Sequence, residues 1–393
     1  MNATSTQIHD STRIARRPPL TYITAMQALT ILPQAAPQAA PQAASQATPQ
    51  DTPQAAPQAL GDAQQRSPQP AQLVMGLAAG YHYGDVRPFI ASLRESGYTG
   101  HCVLFVSPTT RDIDRIQSHD VTCVLVDRDA YTAAHGAEIP WNALRFFIYS
   151  DYLAMDRTPY THILHADVRD IIFQRSPFAA LTKCTTLTKC TALTKCTACA
   201  NDTNCTGSPS TSSSAQPDMP SNDTLMPSGL TITLEDQRMT IGTCPYMTQW
   251  SCGHLGHDAW QAMAHHPISC SGTVIADHQS MLRYLKTMKA ALLPHSPAKG
   301  MAGYDQAVHN HLLRNGALAP FHTIDNSGPI LTLGYYDGMP HMDNNGIIFN
   351  DNGDIPHIVH QYDRIPELFK AIRTRYAPTK RPKVRKPYFQ KNS

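Results

Sequence analysis

Short apolar runs alternate with segments of helical periodicity along residues 73–153. Buried strands are predicted at three of these runs, at residues 73–80, 101–106 and 121–126. Apolar residues at helical spacing predict helices at residues 86–96, 113–117 and 141–153. Strands that alternate with helices are typical of a parallel sheet, and apolar runs without polar alternation indicate strands that are covered on both faces. The pattern therefore predicts an α/β fold with a mostly parallel, Rossmann-like central sheet flanked by helices.

The most informative stretch is residues 160–174, where an apolar run ends in carboxylates. Asp167 and Asp170 follow the run, and residues 171–173 close the stretch with a second apolar group. Open α/β sheets bind ligands at the carboxyl ends of their strands, so both acids are expected to face a crevice. Two acids this close repel each other unless a positive charge or solvent compensates. A divalent cation would satisfy both carboxylates, whereas in a solvated turn Arg169 would neutralise one of them.

The second half of the chain predicts more strands and a second candidate ligand. Apolar runs predict strands at residues 230–235, 330–333 and 345–349, and helices at 278–293 and from 303 onward. Residues 267–276 predict a small Ser-Gly loop between apolar ends, where a ligand could approach the backbone. His360 ends an apolar run, as Asp167 does. A neutral imidazole there could complete an oxygen-rich metal site, although a histidine beside apolar residues is more often only hydrogen-bonded. If both residues hold one cation, their side chains should lie roughly 3–5 Å apart.

Two segments lack the apolar residues that a folded core requires. Residues 33–70 repeat Pro-Gln-Ala-Ala, and residues 181–229 contain three copies of Leu-Thr-Lys-Cys-Thr followed by a Ser- and Pro-rich run. Neither segment can bury enough apolar surface to offset its ordering entropy. The predicted organisation is a disordered leader at residues 1–71, one domain at 72–372 that is interrupted by the low-complexity insert 181–229, and a basic tail at 373–393.

Charge restricts the classes of partner. The formal net charge is +2 at pH 7, which predicts no nucleic-acid partner for the body of the protein. Residues 373–391 contain eight Lys or Arg and no acid. They form either a solvated tail or a weak contact with an anionic membrane surface. No apolar run is long enough to span a bilayer and no clear signal peptide is present, so the sequence favours a cytoplasmic protein with at most peripheral membrane contact.

Together these features resemble the GT-A-fold glycosyltransferases, the nucleotide-diphospho-sugar transferases. The resemblance covers residues 73–178 and 230–370 and leaves out both low-complexity segments. In chain order its features are a strand and nucleotide loop, an arginine-bearing helix, an acidic motif, a Ser-Gly loop, an Asp-Gln helix start and a late histidine. The family's Asp-any-Asp motif matches residues 165–167, which read His-Ala-Asp, so a histidine stands in place of the first acid.

The resemblance implies a divalent cation, Mn²⁺ or Mg²⁺, on the diphosphate of a nucleotide-sugar donor, with a UDP-sugar as the first expectation. Its metal ligands would be Asp167, Asp170 and His360. The donor-binding residues would be Tyr81, Tyr83, Arg145, Arg169, Ser271, Gly272 and Arg364. The acceptor would be a glycan or another hydroxyl compound. Asp305 would deprotonate the acceptor in an inverting reaction and bind sugar hydroxyls in a retaining one, while its simplest structural role is a helix N-cap.

Two other functions remain open from the residues themselves. A metal-dependent phosphohydrolase or nucleotidyltransferase could use the same two acids, Asp167 and Asp170, but a two-metal hydrolase would need further acids or histidines. A sugar-nucleotide binding protein that has lost catalysis is the other alternative, and His165 in place of the first acid is the argument for it. Hydrolysis of a donor in the presence of Mn²⁺ would separate these alternatives.

Overall fold

The computed structural model describes residues 28–34, 71–136, 138–182, 229–292 and 303–377. Its strands are β1 (Leu29–Ile31), β2 (Gln72–Leu77), β3 (His101–Val106), β4 (Thr122–Val126), β5 (His162–Ala166), β6 (Ile171–Phe173), β7 (Leu230–Leu234), β8 (Ser269–Asp277), β9 (Phe321–Ile324), β10 (Ile330–Thr332) and β11 (Ile358–His360). Its helices are α1 (Tyr83–Glu95), α2 (Ile113–Gln117), α3 (Arg128–His135), α4 (Trp141–Met155), α5 (Pro245–Leu255), α6 (His257–Met263), α7 (His278–Leu292), α8 (Tyr304–Arg314) and α9 (Pro366–Arg375). Short 3-10 turns occupy Pro177–Thr182 and Tyr362–Arg364.

Eight of the described strands form one mixed sheet in the order β1-β4-β3-β2-β5-β8-β7-β9. Strands β4, β3, β2 and β5 run parallel to one another. Strand β8 runs antiparallel to both of its neighbours, β5 and β7, while β9 is parallel to β7. The α/β class is confirmed, but the prediction of a mostly parallel sheet is corrected to a mixed one. An apolar run that is buried on both faces has the same composition in either direction, so its sequence does not reveal the reversal.

Both faces of the large sheet are covered. On β2, Leu73 and Met75 pack in one apolar cluster with residues of α4, α7 and α8. Val74 points to the opposite face, where it packs with residues of α1 and α2. This alternation follows from the period of two along a strand. Across the described ranges, no helix combines the length and the apolar character needed to cross a bilayer.

A small second sheet positions the end of the chain against the acidic stretch. Strand β11 lies between β10, to which it is parallel, and β6, to which it is antiparallel. This register sets His360 opposite Ile171 and Ile358 opposite Phe173. Because β6 directly follows the acidic residues and β11 ends at the histidine, the pairing joins two parts of the chain that are distant in sequence. The strand predicted at residues 345–349 is wrong, since only an isolated bridge between Met342 and Ile348 forms there.

Part of the predicted leader belongs to the large sheet. Strand β1 pairs antiparallel with β4 and sets Leu29 opposite Val126. This differs from the prediction of a leader without structure at residues 1–71, and the reason is local: Ala28 and Leu29 are buried against the sheet. The predicted tail also begins inside α9, where Arg373 donates a hydrogen bond to the Gly84 carbonyl (2.7 Å). Residues 1–27, 35–70, 183–228 and 378–393 lie outside the described residues.

Strand β1 offers a matched pair of substitutions that test its docking. We expect Leu29→Ala to lower the free energy of unfolding by about 2–3 kcal/mol, because the side chain is buried. On the same strand the Ile31 side chain is 61% exposed, so Ile31→Ala should change the free energy of unfolding by no more than about 0.5 kcal/mol. Urea denaturation of both variants measures the difference. Equal effects would show that β1 is not docked as described.

Candidate active site

Three candidate ligands converge where two sheets meet. Asp167 follows the last residue of β5, Asp170 precedes β6, and His360 ends β11. The Asp167 Oδ2 atom lies 3.5 Å from His360 Nε2, and Asp170 Oδ1 lies 3.8 Å from the same nitrogen. One ligand atom from each of the three residues fits within a mutual distance of 4.8 Å. The separation of Asp167 and His360 is within the range that the sequence predicts for ligands of one cation.

The orientation of His360 leaves one ring nitrogen facing the carboxylates. Its Nδ1 atom hydrogen-bonds the Thr273 hydroxyl at 2.9 Å, which fixes the ring. Its Nε2 atom is fully buried and faces both carboxylates without a close hydrogen bond. A bound cation could contact this nitrogen and both carboxylates directly, in place of a proton. A second residue that orients the ring through the other nitrogen is usual for histidines that bind metals.

Gly272 leaves the space in which the ligands meet. A Cβ atom at this position would collide with Asp167 Oδ2 and would lie 2.9 Å from His360 Cε1. The Gly272 carbonyl also accepts a 2.7 Å hydrogen bond from the Asp167 amide. Glycine therefore permits the close approach of backbone to ligands. Two carboxylate oxygens and an imidazole nitrogen around such a space are a suitable donor set for Mn²⁺, and for Mg²⁺ with the remaining positions filled by other oxygens.

A buried arginine network supports the cluster from α4. The Arg145 guanidinium pairs with Asp167 Oδ1 through Nη1, and its Nη2 atom lies 2.6 Å from Asp305 Oδ2 and 3.1 Å from Ser271 Oγ. Asp305 also accepts hydrogen bonds from Asn142 (2.7 Å) and Ser271 (3.0 Å). Both oxygens of Asp305 are therefore engaged and its side chain is buried. The structure places Asp305 and Ser271 as partners of Arg145, and not at the open face where a general base would meet an acceptor.

The charges of the cluster are strongly coupled. Burial alone would raise the pKa of Asp167, but the Arg145 guanidinium and His360 outweigh it and hold this pKa well below its usual range. Burial raises the pKa of Asp170 to about 6, with Asp167 acting in the same direction and His360 opposing it. Burial lowers the pKa of His360, whereas Cys270 and the two carboxylates together hold it well above its usual value. A cation that binds to this cluster must therefore displace protons.

These shifts predict a pH dependence of metal binding. Below about pH 6 the Asp170 carboxyl is protonated, and the proton competes with the cation for the same oxygen. The apparent affinity for Mn²⁺ should therefore fall by at least about tenfold for each pH unit below 6. Electron paramagnetic resonance of free Mn²⁺ in titrations from pH 5 to pH 8 measures this slope. An affinity that stays constant from pH 5 to pH 7 would contradict the assignment. Asp170→Asn should make the profile shallower, because only the His360 proton then competes with the cation.

A cleft of about 310 Å³ opens beside the cluster and holds three of the predicted donor-binding residues. Tyr81, Arg145 and Arg169 line it together with Asp167 and Asp170. The Arg169 side chain is 51% exposed, and its guanidinium is anchored by Asp363 Oδ2 at 2.8 Å. Arg145 is buried, so Arg169 is the guanidinium of this cleft that can reach a soluble ligand.

The other four predicted donor-binding residues do not line this cleft: Ser271 and Gly272, described above, and Tyr83 and Arg364. Tyr83 is the first residue of α1 and is buried; its hydroxyl group hydrogen-bonds His119 at 2.8 Å, and the Arg115 guanidinium stacks on its ring. The prediction of Tyr83 as a nucleotide contact is therefore corrected to a packing role. Arg364 is exposed and lines a neighbouring cavity. The sequence predicts a loop at residues 81–85, whereas α1 already begins at Tyr83. At this first helical position the Tyr83 side chain is buried, which the sequence does not reveal.

His165 occupies the motif position at which the resembling family has its first acid. Its imidazole is fully buried on β5, and the ring centroids of Phe146 and Tyr149 lie 5.4 and 5.0 Å away. Burial and the nearby Arg145 charge lower its pKa well below the usual value, so the ring is neutral. His165 is not one of the residues whose ligand atoms converge. This position contributes to the core under α4.

The sequence interpretation missed several side chains that the structure places in or beside the site. They are Trp141, Asn142, Thr273, Glu235 and Gln361. One of them carried a signal: Glu235 directly follows an apolar strand, as Asp167 does, and an acid at a strand end is a candidate for a ligand crevice. Asn142 could not be recognised, because its role depends on contact with Asp305, which lies 163 positions further along the chain.

No family model matches the sequence of this chain, and no curated protein matches it. The interpretation of the site therefore rests on the positions and chemistry of the side chains described above.

Proposed function

We propose that this protein is a metal-dependent glycosyltransferase that moves a sugar from a nucleotide-diphosphate donor to a hydroxyl group of an acceptor. The observation that carries the proposal is the convergence of Asp167, Asp170 and His360 beside a cleft that also presents Tyr81 and Arg169. An aromatic ring, a cation site and an exposed guanidinium suit the base and the diphosphate of a nucleotide. A UDP-sugar is the proposed donor, and a glycan or another hydroxyl compound is the proposed acceptor.

Each residue of the cleft has a distinct part in this proposal. The bound cation would neutralise the charge that develops on the leaving diphosphate. Arg169 reaches the same cleft and can pair with a phosphate oxygen, for which a planar guanidinium is well suited. Arg145 engages Asp167 Oδ1, so that Oδ2 stays directed at His360. Asp305 holds Arg145 in turn and is a positioning residue.

Tyr81 is proposed to stack on the nucleobase. Tyr81→Ala should weaken the binding of UDP by about 1–3 kcal/mol, the usual contribution of stacking between a base and an aromatic ring. Isothermal titration calorimetry with UDP and Mn²⁺ measures the change. Tyr83→Phe is the matched control, because it alters a tyrosine of the same segment whose hydroxyl contacts His119 and not the cleft. Equal losses in both variants would contradict the stacking role.

The described residues contain one cluster of candidate metal ligands, which favours a site for one cation over a site for two. Within the described ranges, the set of Asp167, Asp170 and His360 is the only group of three His, Cys, Asp or Glu whose ligand atoms converge in this way. Hydrolases with two-metal chemistry hold their cations about 3.5–4 Å apart and need additional ligands for the second one. Arg145 and Thr273, which hydrogen-bond the cluster directly, are not ligands of that kind. Cys270 also lies beside His360, but a soft thiol is poorly suited to Mn²⁺ or Mg²⁺. The single cluster supports transfer assisted by one cation.

A donor-hydrolysis assay tests the proposed function. The protein is incubated with Mn²⁺ and a panel of UDP-glucose, UDP-galactose, UDP-N-acetylglucosamine and GDP-mannose, and release of the nucleoside diphosphate is followed. We expect release from at least one UDP-sugar, its loss on chelation with EDTA, and its loss in Asp170→Asn. Asp354→Asn, at an exposed position, is the control and should retain activity. Release of phosphate from simple phosphomonoesters in place of donor hydrolysis would overturn the proposal in favour of a phosphohydrolase.

A further inference from the structure

A second cavity, of about 390 Å³, opens next to His360. It shares no lining residue with the cleft that is proposed to bind the nucleotide. Its lining includes Glu235, Trp250, Gln306, Tyr335 and Gln361. Gln361 directly follows His360 in the chain, and its backbone N–H donates a 2.8 Å hydrogen bond to the backbone carbonyl of Asp170. Its backbone has φ of 61°, a left-handed conformation that is uncommon for residues other than glycine and is concentrated at functional sites. The cavity is thus tied to the metal cluster through the backbone.

Two buried acceptor atoms in this cavity have no hydrogen-bond partner. Glu235 is 2% exposed; its Oε1 atom accepts from Gln306 Nε2 at 3.0 Å, while Oε2 is unsatisfied. Gln361 is 8% exposed and its Oε1 atom is also unsatisfied. A buried acceptor without a partner costs about 1–3 kcal/mol and calls for an explanation. A ligand that donates two hydrogen bonds would satisfy both atoms.

Gly334 shows that the two acceptors border the same space. A Cβ atom at Gly334 would collide with Gln361 Oε1 and would lie 3.2 Å from Glu235 Oε2. Because one methyl group would reach both oxygens, one small ligand can contact both of them. Burial raises the pKa of Glu235 to about 6, so its carboxylate is ionised at neutral pH and is a strong acceptor.

The other residues that line the cavity limit the chemical class of ligand that it can bind. Trp250, Tyr246 and Tyr335 give the cavity aromatic surface beside its polar atoms, a combination that suits a ring with one apolar face and polar edges. Arg364 also lines the cavity, and its positive charge disfavours a cationic ligand. A neutral ring that carries hydroxyl donors fits both requirements, and a pyranose is such a ring.

We infer that this cavity is a sugar-binding subsite, in which Glu235 and Gln361 accept hydrogen bonds from hydroxyl groups of a pyranose while Trp250 packs against the ring. The inference rests on the proposed function, because the sugar is either that of the nucleotide-sugar donor or that of a glycan acceptor. Both sources present the same hydroxylated ring to the same two oxygens. The experiment separates them.

Two variants change the subsite and one serves as the control. Glu235→Gln keeps the shape of the side chain but places a donor or a weaker acceptor where the ionised oxygen stands. Gly334→Ala places a methyl group in front of Gln361 Oε1 and so displaces the amide. Glu367→Gln makes the same chemical change at an exposed position. Circular dichroism first establishes that all three proteins are folded.

The measurement has two arms. In the first, calorimetry with Mn²⁺ compares the affinity for UDP with that for UDP-glucose and UDP-galactose, so that the difference reports a donor sugar. In the second, saturation-transfer NMR with Mg²⁺ follows methyl glycosides in the presence and absence of UDP, which reports an acceptor sugar. We expect that in one of the two arms the sugar contributes measurably to binding, both in the wild type and in Glu367→Gln. This contribution should fall at least about tenfold in Glu235→Gln and Gly334→Ala, while UDP affinity stays within about twofold.

The outcomes distinguish this inference from the proposed function. If neither variant changes the sugar contribution in either arm, the subsite is overturned although the glycosyltransferase proposal stands. If UDP does not bind, the nucleotide part of the proposed function fails, and the methyl glycosides still decide the subsite. In that case, methyl glycoside signals that are present in the wild type and disappear in Glu235→Gln and Gly334→Ala would support the subsite. No methyl glycoside signal in the wild type would overturn the subsite.

Discussion

Asp167→Asn is expected to abolish Mn²⁺-dependent binding of UDP and the release of UDP from a donor sugar. The substitution removes the charge of a ligand whose Oδ2 atom lies 3.5 Å from His360 Nε2. Loss of a supporting residue already lowers metal affinity about 10–100-fold, so loss of a ligand should lower it by more than about 100-fold. His360→Ala should act in the same direction with a smaller effect. Calorimetric titration of UDP with and without Mn²⁺ measures both losses.

The controls for this prediction separate the site from the fold. The Asp167 side chain is 35% exposed, and Arg145 keeps Asp305 as a partner in the variant, so circular dichroism should remain that of the wild type. Asp354→Asn, at an exposed loop position, should leave the affinity for Mn²⁺ and UDP within about twofold. Unchanged Mn²⁺-dependent affinity in Asp167→Asn would place the cation elsewhere in the protein.

Arg145→Met is expected to cause the largest loss of stability. The guanidinium pairs with the buried Asp305 carboxylate at 2.6 Å and with Asp167. Removal of one partner from a buried ion pair leaves an uncompensated charge, which costs about 3–5 kcal/mol. Urea denaturation followed by circular dichroism measures the free energy of unfolding. Arg145→Lys keeps the charge but cannot reproduce the two-pronged geometry, so its loss should be intermediate.

An exposed ion pair provides the matched control for Arg145. Glu138 lies 2.8 Å from Arg128, with side chains 67% and 31% exposed. Glu138→Gln should change the free energy of unfolding by at most about 1 kcal/mol, because pairs in solvent contribute little. Asp305→Asn in the background of Arg145→Met should restore part of the stability, since the unpaired charge is removed. A loss below about 1 kcal/mol for Arg145→Met would show that the network does not support the site.

Periodicity made much of the large sheet predictable. Strands β2, β3 and β4 and helices α1, α2 and α4 were located from the alternation of apolar runs and helical repeats, because side-chain burial imposes those periods directly. Strand β1 was missed because Leu29 stands beside a Pro- and Gln-rich segment whose composition suggests no fold. The Ser-Gly loop predicted within residues 267–276 is wrong, because these residues lie in the continuous strand β8, whose pairing with β5 and β7 depends on parts of the chain that are distant in sequence.

The candidate ligands were predictable from one shared property. Asp167 and His360 both stand at the end of an apolar run, where side chains emerge at the edge of a sheet. Their approach depends on the pairing of β6 with β11, which only the structure reveals. Roles that depend on a partner's position were missed or misplaced. Asp305 has the pattern of a base or a cap, but Arg145 on another helix engages it. The pattern around Glu235 indicates only the end of a strand.

Anomalous diffraction at the manganese absorption edge tests the metal-site assignment most directly. Crystals of the protein with Mn²⁺ and UDP should give a peak about 2.0–2.6 Å from Asp167 Oδ2, Asp170 Oδ1 and His360 Nε2, with the diphosphate oxygens completing the coordination. The same peak should be absent in crystals of Asp167→Asn. A manganese peak at another place, or a nucleotide bound without manganese between these three side chains, would contradict the assignment and remove the main support for the proposed function.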